Sequence, residues 1–290
     1  MKTLVVTADD VGLHPGLTLG ALKAHDEGIV TACSVVANGR ALDHAVERLK
    51  DRPGLDAGIH LTFVGGERPL SPPDRVKSLL GPDGAFLPGF RAFASRYFLG
   101  RIDPAELEGE LRRQIEKLLA AGLTLHHANS HQHLHVLPRV FEIVLKLAEE
   151  HRIPWVRIPA DPLALRRPSP RALEITVLNA IANRARQRLG GRKVQATDRA
   201  VGILDAGRLT PARLFRILEN VEGITELVCH PGIGDAELAA VYGWGYGWDQ
   251  ETAALCDAGV RGWIAEREIR LTSFPRSSEP LRHRSAASQP

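Results

Sequence analysis

The sequence predicts an α/β protein, a parallel sheet with helices outside it, in one domain. Three observations carry this. The first 65 residues alternate short apolar, β-rich runs with amphipathic segments joined by short links, the pattern of repeated strand–helix–strand units. The apolar runs end in Asp and His, and functional groups gather at the C-terminal ends of strands in barrels and open parallel sheets. At 290 residues, 44% apolar and 24% charged, the chain can build one large core with no disulfide or zinc staple, and α/β barrels of this length are single domains.

The elements follow in order. The run 2–7 ends at Ala8-Asp9-Asp10 and Gly12, so it reads as a buried strand delivering two carboxylates. Residues 17–28 have helical spacing through Leu19, Leu22 and Ala24 and stop at Gly28. A strand is predicted at 30–37, a helix at 41–49 broken by Pro53-Gly54, and a strand at 57–61 ending near His60. Many Gly and Pro mark residues 65–90 as a long insertion. Leu107, Leu111, Ile115 and Leu118 give 104–121 one apolar helical face, ended by Gly122. Then come a strand at 123–129, a helix at 138–151, a strand at 155–158 and an Arg-rich helical region at 160–195. A helix at 212–221 precedes a strand at 225–229 that ends sharply at His230-Pro231-Gly232. The single domain is expected over 1–275, with 276–290, rich in Ser, Arg and Pro, as a disordered tail.

Composition narrows the function. A net charge of +3 is too small and too dispersed for a nucleic-acid partner. No apolar run reaches the ~18 residues of a membrane span. The N-terminus meets Asp9-Asp10 too soon for a signal peptide, and Cys33, Cys229 and Cys256 read as reduced thiols, so a cytoplasmic protein is expected. There is no H-E-x-x-H, G-x-S-x-G, Walker loop or paired C-x-x-C. Gly243–Gly247 follows no phosphate-loop pattern, and Cys229 sits in an apolar strand, as a core residue does.

Four strand ends present polar, metal-competent residues: Asp9-Asp10, His60, the run His131-Gln132-His133-Leu134-His135, and His230. Adjacent carboxylates on a strand end diverge, so one can bind a metal while the other stays free as a base; the competing reading is a helix N-cap. His131, His133 and His135 have period-two spacing, and an extended backbone would put all three on one face. A surface His-rich loop is the alternative, and His126 and His127 show that not every histidine here is a ligand. His60 and His230 are weak signals singly, and the set of four ends carries the argument.

Fifteen aromatic residues stand against twelve histidines, and nine of the rings fall in two short segments. Phe86, Phe90, Phe93 and Tyr97 are expected to share a helical face, with Arg91, Arg96 and Arg101 interspersed. That segment either lies at a membrane surface or over a lipid-like substrate, or packs on the barrel. Tyr242, Trp244, Tyr246 and Trp248 alternate with other residues, and either stack on a sugar ring or close the barrel.

At these residues the chain resembles the YdjC-like carbohydrate deacetylase family. The matching segments are Thr7-Ala8-Asp9-Asp10-Val11-Gly12-Leu13, Gly28-Ile29-Val30-Thr31, Gly58-Ile59-His60-Leu61, Asn129-Ser130-His131-Gln132-His133-Leu134-His135 and Cys229-His230-Pro231-Gly232. The resemblance implies a deformed (β/α) TIM-like barrel and metal-dependent removal of N-acetyl groups from amino sugars. It implies one divalent metal ion, Mg2+ or Zn2+, on Asp10, His60 and His131, with Asp9 as general base and His230 as acid or transition-state stabiliser. His133 and His135 would line the site, and Asn129, Tyr246 and Trp248 join them as expected substrate contacts. Asn129 stands where the family usually has Asp, and with Thr197-Asp198-Arg199 and 205–210 it is similar to a branch associated with hopanoid biosynthesis. The expected partner is an amino sugar, glycan-borne or lipid-linked, with peripheral membrane contact and a homodimer as further expectations. Two competing readings are a barrel phosphoesterase and a non-catalytic carbohydrate- or lipid-binding module.

Overall fold

The computed structural model describes residues 2–162, 169–234 and 236–276. Among these the chain runs β1 (Thr3–Val11), α1 (Pro15–Asp26), β2 (Ala32–Val35), α2 (Leu42–Lys50), β3 (Asp56–Leu61), α3 (Phe90–Phe98), α4 (Pro104–Ala120), β4 (His127–Ser130), α5 (Pro138–Glu150) and β5 (Trp155–Val156). It continues through α6 (Pro170–Gln187), β6 (Arg199–Val201), α7 (Pro211–Leu218), β7 (Ile224–Cys229), α8 (Ala236–Val241), α9 (Trp248–Leu255), α10 (Ala258–Glu266) and β8 (Arg270–Leu271). The strands form one curled parallel sheet, a half-barrel, in the order β5-β4-β3-β2-β1-β7-β6, with β8 also on β1. Gln195, four residues before β6, makes a parallel bridge to Trp155 of β5.

Burial on both faces makes the strands nearly continuous apolar runs, as parallel sheets with helical cover require. Every residue of β1, β2, β3 and β7 is buried. The helices turn one face inward. On α4, Leu107, Leu111, Ile115 and Leu118 are buried, each worth about 1.5–3 kcal/mol against exposure. Asp103 caps that helix by accepting from the Ala105 amide, and Pro104 opens it.

The insertion after β3 is tied to α4 by buried polar groups. The Glu110 carboxylate accepts from the amides of Leu70 (3.0 Å) and Ser71 (2.8 Å), and Glu106 accepts from the Ser78 amide (2.7 Å). Gln114 bonds both backbone groups of Thr62 at 2.9 and 2.7 Å.

Four expectations change. Helix α3 begins only at Phe90, so Phe86 shares no helical face with it. Phe86 and Phe93 are core residues, Phe93 packing on Phe63 at 5.0 Å, while Phe90 and Phe98 are exposed. The 131–135 run is a 3-10 turn, not an extended segment, because Gln132 (φ 54°) and His133 (φ 57°) adopt left-handed backbone. The strand at 155–158 is only two residues long and the helix at 160–195 covers only 170–187. The tail expected at 276–290 lies outside the described residues beyond Arg276. No helix among the described residues is long and apolar enough to cross a membrane.

Candidate active site

The strand register brings the predicted residues to one rim. Ala8 pairs with Cys229, so Asp9 and His230 leave adjacent strands side by side, and His60 pairs with Asn129. The β1–β2 register shifts between Ala8 and Val11, and Asp10 takes φ 66° within that irregularity. Left-handed backbone costs a non-glycine residue roughly 1–2 kcal/mol, and strain of this kind clusters at functional sites. Here it re-aims one carboxylate, so both acids of the Asp-Asp pair approach His60, Asp9 Oδ1 at 4.0 Å from Nδ1 and Asp10 Oδ1 at 3.3 Å from Nε2.

Asp10 Oδ1 lies 3.3 Å from His60 Nε2 and 3.1 Å from His131 Nδ1. One ligand atom from each of the three lies within 4.8 Å of the others. The proton positions test whether a cation fits. Asp9 Oδ1 can only accept, and it faces Asn129 Nδ2 at 3.3 Å, which turns Asn129 Oδ1 toward His60 Nδ1 at 2.7 Å. His60 therefore carries its proton on Nδ1 in the neutral ring. Its Nε2, buried and without a hydrogen-bond partner, presents a lone pair to a carboxylate oxygen. Two facing lone pairs repel unless a cation or proton lies between them. A divalent ion of the zinc or magnesium class fits this donor set, and Asn129 Oδ1 is the hydrogen-bond partner that orients the His60 ring.

The electrostatics agree. Burial pushes the Asp10 carboxyl up, but the imidazoles of His131 and His60 outweigh it and hold it well below the ordinary range. Burial works against charge on His60, yet Asp9 and Asp10 raise its pKa above the ordinary value. Carboxylates that favour a proton there favour any cation there.

Sequence reasoning missed Arg157. It follows β5, is buried, and forks onto Asp9 through Nη1 to Oδ2 (2.5 Å) and Nη2 to Oδ1 (2.9 Å). Its Nε and Nη2 also bond Glu226 Oε1 at 3.0 and 2.8 Å. Burial raises the Asp9 carboxyl's pKa, but Arg157 first and His60 next bring it far below the usual range. Removing one partner of such a buried pair typically costs about 3–5 kcal/mol, since the other charge is stranded. The only sequence signal was position, a charge just past a short apolar strand.

The left-handed turn separates the three histidines. His131 reaches Asp10. His133 turns inward, its Nδ1 buried and unpartnered, and burial then Arg157 hold its pKa well below the ordinary value. His135 does not line the site, because it is fully buried and both ring nitrogens are engaged, with Ser130 Oγ and the Arg157 carbonyl, each at 2.8 Å. Asn129 likewise is a buried orienting group rather than a substrate contact. Gln132 Oε1 accepts from the Phe90 amide at 2.6 Å, tying the turn to the first residue of α3.

His230 is held through its backbone, whose amide donates to the buried Glu251 carboxylate at 2.7 Å, while its ring Nδ1 is buried without a partner. Tyr246 meets the ring edge-on at 5.2 Å, and Trp244 lies 5.3 Å from the His131 ring. Gly207 (φ 76°) makes room for Tyr246, since a Cβ there would fall 2.2 Å from its ring. Trp248 is buried behind these rings, 6.4 Å from Trp244 and 6.3 Å from Tyr246. A concavity beside His131 is lined by Leu13, Thr62, Val64, Gly65, Glu67, Tyr242 and Trp244.

Buried neutral histidines predict a pH dependence. Burial lowers the pKa of His135 to about 3 and that of His127 well below the ordinary value. Their unfolded forms bind protons below the ordinary histidine pKa near 6.5, and the folded forms do not. Stability is therefore full above pH 6.5 and falls below it by up to about 1.4 kcal/mol per pH unit for each such histidine. Urea unfolding at pH 7.5 and 5.0 checks this, and equal midpoints would contradict it.

The comparisons follow this geometry. The family described as "YdjC-like protein" matches residues 3–266. A carbohydrate deacetylase 1 of Listeria innocua is 36% identical over 278 residues, covering 93% of this chain and 98% of the relative. A carbohydrate deacetylase of Clostridium beijerinckii is 28% identical over the same coverage. One from Brevibacillus brevis is 43% identical, but over 156 residues, 54% of this chain and 59% of that one. A solved structure from Enterococcus faecalis V583, described as a cellobiose-phosphate cleavage protein, superposes with TM-score 0.75 at 24% identity, covering 94% of this chain and 97% of that one. That likeness shows the same fold. With the family match spanning nearly all of the chain, this protein belongs to the YdjC-like family.

Proposed function

We propose that this protein hydrolyses the N-acetyl group of an amino sugar, a carbohydrate N-deacetylase. The observation that carries the reading is the cluster of Asp10, His60 and His131, whose ligand atoms lie within 4.8 Å of one another, with a second carboxylate, Asp9, left outside it. The deacetylase names of full-length relatives support the same activity. A divalent ion held by Asp10, His60 and His131 supplies polarisation of the amide carbonyl and acidification of water.

The remaining chemistry belongs to the chain. Asp9 takes the proton of the attacking water as the new C–O bond forms. The Arg157 fork fixes the carboxylate's direction and keeps it ionised and ready to accept. His230, beside Asp9 just past the end of β7, delivers a proton to the leaving amine as the C–N bond breaks. Tyr246 and Trp244 offer ring faces beside His230 and His131 for a sugar ring, with Trp248 bracing them. A lipid-linked acceptor is the finer form of this reading, supported by exposed Phe90, Phe98 and Leu99 at α3 and by the resemblance carried by Asn129.

Acetate release from an N-acetylglucosamine oligosaccharide tests the activity. The expected result is release that a chelator abolishes and added Zn2+ or Mg2+ restores. Turnover of phosphate esters without acetate release would contradict it.

A further inference from the structure

A line of buried polar groups runs from the ligand triad into the half-barrel. His60 Nδ1 donates to Asn129 Oδ1 (2.7 Å), Asn129 Nδ2 donates to Ser34 Oγ (2.7 Å), and Ser34 Oγ meets His127 Nε2 (2.9 Å). All four residues are at most 2% exposed. The register places them together: Ser34 is opposite Gly58, His60 is opposite Asn129, and His127 and Asn129 share a face of β4. A Cβ at Gly58 would fall 2.4 Å from the His127 ring, so glycine there lets the ring lie flat across β3. Phe274 stacks on the ring at 4.4 Å and 25°.

The shape of an asparagine amide hardly changes when its oxygen and nitrogen exchange places, so its partners decide the setting. The two settings have opposite consequences. With Oδ1 toward His60, the ring proton sits on Nδ1 and Nε2 is bare toward Asp10. With Nδ2 toward His60, Nδ1 must accept, the proton moves to Nε2, and the ring has no lone pair there for a cation. A serine alone serves either setting, because its hydroxyl both donates and accepts. Asp9 Oδ1, which can only accept, removes that freedom by facing Asn129 Nδ2 at 3.3 Å; the same Nδ2 donates to Ser34 Oγ, whose own proton then goes to His127 Nε2. Burial, then the charge of Arg157, keep His127 neutral and so able to accept.

We infer that Ser34 and His127 are positioning residues that, together with Asp9, lock the Asn129 amide and, through it, hold His60 in the tautomer that binds a divalent cation. The inference rests on the cation reading of the site proposed above.

The test is a Co(II) titration of the metal-free full-length protein, read by visible absorption and independent of turnover. Ser34→Ala is expected to weaken Co(II) binding about tenfold, and Asn129→Ala up to about 100-fold. The double variant should bind no more weakly than Asn129→Ala alone, because Ser34 acts through Asn129. His127→Phe keeps the ring and its stacking but removes the acceptor. It should weaken Co(II) about as much as Ser34→Ala, and it carries the test if Ser34→Ala fails to fold. Unchanged affinity in the single variants, or losses that multiply in the double variant, would overturn the inference. If the unaltered protein binds no Co(II), the cation reading itself falls and this inference with it, a result distinct from binding that ignores Ser34.

Discussion

Asp9→Asn is expected to lower the kcat for deacetylation by about 10²–10⁴-fold, the usual contribution of a positioned general base. Metal content should stay at the unaltered level, because Asp10, His60 and His131 are untouched and an asparagine oxygen at the Oδ1 position still accepts from Asn129 Nδ2. The fold should survive for a reason visible in the buried charges. Asp9, Arg157 and Glu226 sum to one net negative charge, and removing the Asp9 charge leaves Arg157 paired with Glu226. The asparagine amide must turn its oxygen toward Arg157, so a small loss of stability is expected beside the large loss of rate. Measuring kcat, bound metal and the unfolding midpoint on the same preparation separates these effects. Full activity would move the base to another residue, and loss of metal would place Asp9 in the ligand set.

Arg157 gives that prediction its shape, and it shows where the sequence stops being informative. The ends of β1, β3 and β7 were legible because an apolar run broken by Asp9-Asp10, His60 or His230 states both burial and a change of chemistry along a short stretch of chain. The link between Asp9, Arg157 and Glu226 has no such local mark. Their positions are 148 and 69 residues apart, and they meet only because β1, β5 and β7 curl around one interior. The same holds for Ser34, an unremarkable residue in β2 until the sheet sets it beside Asn129 and His127.

The histidine run was misread for a different reason. Alternation of His with Gln and Leu imitates a strand, and only tertiary context reveals the left-handed pair Gln132 and His133. That turn sends His131 to Asp10, His133 toward the Asp9–Arg157 pair and His135 into a closed pair of hydrogen bonds. The aromatic segments divide by the same test of burial. Phe86 and Phe93 fill the core, whereas Trp244 and Tyr246 stand against His131 and His230 at the rim. The scarce rings are thus shared between core and site, and the strands are filled mainly by Leu, Val, Ile and Ala.

The second large effect is expected on the proposed metal. Asp10, His60 and His131 each offer one ligand atom within 4.8 Å of the others, so deleting an imidazole would leave too few donors to hold an ion against water. His60→Ala also strands Asn129 Oδ1, whose partner is His60 Nδ1. His131→Ala removes a ring that is 12% exposed, against 2% for His60, and strands no asparagine in the core, so it is the cleaner variant. The measurement that bears most directly on the site is metal per chain in the purified, folded protein and in these two variants. The expected result is one divalent ion per chain in the unaltered protein and none in His60→Ala or His131→Ala. A stoichiometric ion that survives both substitutions, or no ion in the unaltered protein after supply of Zn2+ and Mg2+, would contradict the assignment of Asp10, His60 and His131 as its ligands.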